Sequence, residues 1–104
     1  MKLLTKEIIK KFPKIYEMDG KPADKVPVVA KFFVPWGAAS WYATEYDGED
    51  TFFGFANLGD DQCAELGYFS LSELESIKGP AGMKIERDIY FEANLKEVKE
   101  FAKR

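Results

Sequence analysis

The chain has 104 residues, 46% of them hydrophobic and 32% charged, with a formal net charge of −3. This is the composition of a globular protein, not of a disordered one, and the length suits a single domain over 1–104. With no histidine and one cysteine, Cys63, the chain cannot build a Ser-His or Cys-His dyad, an internal disulfide or a Cys/His zinc site. The expectation is therefore no metal and no cofactor.

A lone thiol fits a reducing compartment. The first residues, "MKLLTKEIIKKF", lack the uninterrupted apolar region of a signal peptide. No apolar run approaches the roughly 20 residues needed to span a bilayer. These features predict a cytoplasmic protein without membrane association.

Residues 1–16 read as a short helix. Thr5 is its N-cap, Ile8, Ile9 and Phe12 share one face, and Pro13 ends it. "EMDGKPADKVP" reads as a loop. "VVAKFFV" (28–34) is rich in β-branched and aromatic residues and reads as a strand. "WYATEYD" (41–47) and "TFFGFANL" (51–58) flank "DGED", a hairpin signal. "ELGYFS" (65–70) is the next strand of the meander. Ser70 and Glu73 make a capping-box pattern for a helix over 71–78, with Leu71, Leu74 and Ile77 inward. "KIERDIYFE" (84–92) alternates again, placing Ile85, Ile89 and Phe91 on one side. Asn94 and Glu97 open a last helix with Leu95, Val98 and Phe101 inward. The predicted class is α+β: a mostly antiparallel sheet of about five strands around the hairpin 41–58, with short helices at the N-terminus, at 71–78 and at the C-terminus.

Centring the hairpin turn on Gly48-Glu49 pairs Trp41 with Ala56, Ala43 with Gly54 and Glu45 with Phe52. Tyr42, Thr44 and Tyr46 then share a face with Thr51, Phe53 and Phe55. A three-residue loop changes this register. The small pair Ala43 and Gly54 implies that something approaches the backbone there, a packed helix or a ligand.

Charge is unevenly distributed. Residues 1–34 carry eight lysines against four acids, net +4; residues 35–75 carry nine acids and no lysine or arginine; residues 76–104 carry seven basic and five acidic side chains, net +2. Glu45, Asp47, Glu49 and Asp50 lie at one end of the hairpin, and Asp60, Asp61 and Glu65 at the other. A strand of roughly 25 Å separates the two groups, so they do not form one metal cluster, and "DGED" lacks EF-hand spacing. They read as solvated turns, with a weak, adventitious cation at the hairpin tip left open, or, more sharply, as an acidic surface for a basic protein partner that itself handles nucleic acid. Direct nucleic-acid binding is not expected, because Lys6, Lys10, Lys11 and Lys14 read as the solvated face of the first helix. An alternative site is a ligand groove using Trp41, Tyr42, Phe52 and Arg87. The simpler role for Arg87 is an ion pair with Glu45 or Glu86. No phosphate-binding loop, nucleophile elbow or dinucleotide fingerprint is present, and the expectation is a non-enzymatic protein.

"WYATEYDGEDTFFGF" followed by "ELGYFSLSELESIKGPAGMKIERDIYF" resembles the small bacterial family catalogued as domain of unknown function 2958. The resemblance runs from "KEIIKKFPKIY" to "IERDIYF" and leaves out residues 93–104. It implies no activity. It does imply a setting on plasmids, phages and integrative elements near antirestriction-type genes. Together with the acidic middle, that setting makes an interaction module the leading expectation, with anti-CRISPR or antirestriction inhibition as its role. A small-ligand or nucleotide-binding accessory domain and a structural domain of a larger assembly are the alternatives.

Overall fold

A computed structural model describes residues 2–59 and 64–102. Its centre is the hairpin of β3 (Ser40–Tyr46) and β4 (Thr51–Asn57). The turn between them is organised by one side chain. Asp47 Oδ1 accepts from the backbone N–H groups of Glu49, Asp50 and Thr51 at 2.8, 2.9 and 3.0 Å. Gly48 takes the left-handed conformation, φ +87°, that the tight reversal requires. The Asp47 N–H donates to the Thr51 carbonyl, leaving a three-residue loop.

The pairing around this loop differs from the expected one. Trp41 faces Ala56 and Ala43 faces Gly54, as predicted, but Glu45 then faces Phe53 and Tyr46 faces Phe52. One extra residue, Thr44, is accommodated as a β-bulge between the two registers. The bulge carries the Tyr42 carbonyl against Gly54, where any Cβ would collide with it. The close approach at Ala43 and Gly54 thus comes from the adjacent strand, not from a helix or ligand.

β2 (Ala30–Phe33) pairs with β3, β5 (Glu65–Ser70) with β4, and β6 (Glu86–Arg87) with β2, giving an antiparallel five-stranded sheet in the order β5-β4-β3-β2-β6. The run 28–34 is divided. β1 (Pro27–Val28) leaves the sheet to pair with β7 (Ala93–Asn94), while β2 stays in it. The strand expected over 84–92 is only two residues long. After it, the Asp88 carboxylate accepts from the Tyr90 N–H at 3.0 Å. That side-chain turn competes with further strand pairing, and Ile89 is 59% exposed, not inward.

Each of the three described α-helices has a side-chain cap. α1 (Lys6–Ile9) is one turn started by Thr5, whose hydroxyl accepts from the Ile8 N–H, so the helix is much shorter than 1–16 and leaves Ile9 exposed. Pro13 lies beyond the helix, and its carbonyl accepts from the Tyr46 N–H. α2 (Leu71–Ser76) starts at Ser70, whose hydroxyl accepts from the Glu73 N–H. α3 (Leu95–Ala102) opens on a reciprocal box: Glu97 N–H to Asn94 Oδ1, and Asn94 N–H to Glu97 Oε1.

The sheet buries both faces. On one, Phe52 is fully buried and sits among Phe12, Phe32, Tyr46 and Phe69, with ring centroids 4.7–5.6 Å away. Leu3, Trp41, Leu74 and Ile85 complete that cluster. On the other, Phe55 packs with Val26, Val28, Leu95 and Val98, and Tyr42 and Phe91 lie alongside. Replacing Phe52 with alanine removes the hub of the first cluster. Phe52→Ala is expected to destabilise the fold by about 3–5 kcal/mol, measured by urea unfolding.

Candidate functional site

The acidic sequence "EYDGED" is split by the bulge into side chains with different surroundings. Glu45, expected on the acidic surface, is only 4% exposed. The bulge turns it away from the Phe52 cluster and under the loop that follows Pro13. Its Oε1 accepts from the Tyr16 N–H at 3.0 Å and its Oε2 from the Met18 N–H at 2.9 Å. Glu45 therefore cannot serve as an exposed contact. It anchors a loop in which Tyr16 adopts φ +71°, a left-handed conformation uncommon for a residue with a Cβ.

The loop and sheet enclose a pocket of about 260 Å³, lined by Glu45, Thr44, Phe53, Leu66 and Tyr68 from the sheet and by Tyr16, Met18 and Asp19 from the loop. Tyr16 and Tyr68 are 70% and 55% exposed. A hydrogen bond with Tyr16 is the main reason that the Tyr68 phenol is raised above its ordinary range. Desolvation and the charges of Tyr16, Glu45 and Asp19 act in the same direction.

The rest of the hairpin end faces outward. Asp47 and Glu49 are exposed, and Asp50 is half-buried. Asp47 holds the turn, and the backbone hydrogen bonds from Glu49 and Thr51 are the leading causes that pull its carboxyl below the usual range. Asp50 ties the hairpin to α2: its carboxylate accepts from the Ser72 N–H at 2.9 Å and the Ser72 hydroxyl at 2.7 Å. The Tyr46 phenol beside them is raised, first by burial and then by Asp47, Asp50, Glu75 and Glu49. Among the described residues, none of these carboxylates has an ion pair. Glu65 is exposed at the start of β5. Asp60 and Asp61, predicted as part of the same surface, lie outside the described residues, as does Cys63.

The expected groove is not formed. Trp41 and Phe52 are buried in the first cluster, whereas Tyr42 lies on the opposite face, against Phe55 and Phe91. The Lys31 ammonium sits over the Tyr42 and Phe91 rings at 5.6 and 5.4 Å. Arg87, expected to pair with Glu45 or Glu86, extends its Nη1 to the main-chain carbonyls of Leu3 and Lys2 at 2.8 and 3.3 Å. It fastens the N-terminal segment to β6. The pocket residues Tyr16, Met18 and Tyr68 had no signal in the sequence beyond the alternation of β5. Their meeting depends on Glu45 crossing to the loop. Among the described residues no group of three or more His, Cys, Asp or Glu is placed to hold a metal ion, and no helix is long and apolar enough to cross a membrane.

The family described as protein of unknown function (DUF2958) matches residues 3–104, nearly the whole chain and including the C-terminal helix. The chain belongs to the DUF2958 family. No curated protein and no solved structure matches it. For this DUF2958 protein the geometry alone therefore defines the site.

Two outcomes test the roles of these carboxylates. Glu45→Ala leaves two loop N–H groups without their acceptor and is expected to cost about 2–4 kcal/mol in urea unfolding, with Glu45→Gln, which keeps one acceptor oxygen, costing less. The stabilisation by Asp47 follows from a carboxyl depressed in the folded state. It is complete above the ordinary value of 3.8 and is lost as pH falls through the lower folded value. The stability gap between the native protein and Asp47→Ala should therefore be constant near neutrality and close in acid, as measured by unfolding at a series of pH values.

Proposed function

We propose that this DUF2958 protein is a non-enzymatic, cytoplasmic interaction module that presents the acidic end of its β3–β4 hairpin to a basic protein partner. The observation that carries the reading is the gathering of Asp47, Glu49, Asp50 and Glu75 around Tyr46 without an ion pair among the described residues. A single-sign surface of this kind attracts a basic surface and speeds encounter. Hydrogen bonds to Asp47 and Asp50 fix those two charges in place before binding. The lysines and arginines of nucleic-acid-handling proteins are suited to such a surface, which competes with phosphate for them. The mobile-element setting implied by the family resemblance extends the proposal to inhibition of a host defence protein, in the manner of an anti-CRISPR or antirestriction protein.

Glu49 and Glu75 are both exposed, so reversing their charge leaves the packing intact. Glu49→Lys combined with Glu75→Lys is expected to reduce capture of a basic partner from host lysate by about tenfold or more. Raising the salt to about 0.5 M should release the partner from the native protein. Binding that is indifferent to both salt and charge reversal, or recovery of no nucleic-acid-handling partner, rejects the proposal.

A further inference from the structure

We infer that the pocket over Glu45 seats the guanidinium of an arginine side chain from a basic protein partner. The inference rests on the reading above for the class of partner, but on different residues. Its first support is the carboxylate. Glu45 is 4% exposed yet lines the pocket. An ionised carboxyl offers about four acceptor positions, and the Tyr16 and Met18 N–H groups use two. No cation among the described residues forms an ion pair with it. Asp19 and Lys21 also line the pocket, but Lys21 makes no ion pair with Glu45. A buried charge without a paired cation is well placed to gain from one brought by a ligand.

The second support is the rim. Tyr16 and Tyr68 are large, exposed aromatic residues that line the pocket and meet through their hydroxyls, and Phe53 packs on Tyr68 with ring centroids 5.1 Å apart. Aromatic rings lining a pocket that also holds a carboxylate form an environment for an organic cation. At about 260 Å³ the pocket suits one side-chain head better than a nucleotide. Guanidinium fits it better than ammonium, because its planar fork meets a carboxylate at two points, stacks on aromatic rings and gives up water more readily. The third support points to a peptide as the source. Leu66 and Tyr68 line the pocket from β5, one of the two edge strands of the sheet. A peptide lying along that edge presents alternate side chains to the same face.

The test is titration of the isotopically labelled full chain, followed by NMR, with the peptide acetyl-Gly-Val-Arg-Val-Gly-amide. A second titration uses the same peptide with citrulline, the neutral isostere, in place of arginine. The arginine peptide is expected to give saturating shifts at the Tyr16 and Met18 amides. The citrulline peptide should bind at least about tenfold more weakly, an order of magnitude in Kd. Tyr68→Ala, which removes an exposed ring and retains the Glu45 anchor, should weaken the arginine peptide by a similar factor. Absence of saturating shifts up to about 5 mM peptide, equal binding of the citrulline peptide, or no effect of Tyr68→Ala overturns the inference. Glu49→Lys with Glu75→Lys should leave the shifts in place, so loss of hairpin-end binding and loss of pocket binding are separately observable.

Discussion

The extra residue in β3 at Thr44 sets the two sides of the sheet apart. Side chains alternate along a strand, so without it Glu45 would be placed opposite Phe52, facing the rings of Phe12, Phe32 and Phe69. There the carboxylate would have no donors. With the bulge, Tyr46 stacks on Phe52 instead and Glu45 passes to the other face, where two amides await it. The Thr44 hydroxyl donates to the Phe53 carbonyl at 3.0 Å, so part of the lost ladder pairing is replaced. Gly54 is required for the same reason, because its missing Cβ is the space taken by the Tyr42 carbonyl.

Local chemistry was readable from the chain. The caps at Thr5, Ser70 and Asn94, the turn at "DGED", and the strands 41–47, 51–58 and 65–70 rest on side chains acting within a few positions of themselves. The errors came where distant partners decide. A three-residue turn and a bulge offset each other in β3, and no local pattern reveals such a pair. Residues 84–92 alternate like a strand, but Asp88 captures the Tyr90 amide and breaks the run. The first helix shortens because its C-terminal half is drawn into hydrogen bonds with Tyr46 and Glu45. The same limit applies to the site. An acidic surface at the hairpin end was foreseeable from charge, whereas the pocket needed Tyr16 and Tyr68 to be brought together from 52 positions apart in sequence.

The carboxylates of "EYDGED" therefore do several tasks at once. Asp47 shapes the turn, Asp50 joins the hairpin to α2, and Glu45 secures the loop. Only Glu49 makes no side-chain hydrogen bond among the described residues. Acidic character and architecture are not competing explanations here, since a carboxylate that accepts amide hydrogen bonds keeps its charge and loses its freedom to move. Asp47 and Asp50 are held in place, Glu49 is exposed beside them, and Glu45 faces a small aromatic-rimmed space.

The hydrogen bonds from Tyr16 and Met18 span 29 and 27 positions in the sequence, and this separation bears on the cost of assembly. Each bond closes a loop of nearly thirty residues, so it carries a loop-closure cost that the hairpin's own local pairing does not. The same bonds are the ones broken when the loop lifts, and lifting it removes one wall of the pocket. Opening of the site and local unfolding of residues 14–18 are thus a single equilibrium. Because the Pro13 carbonyl is bonded to Tyr46, that equilibrium is also felt at the acidic end of the hairpin.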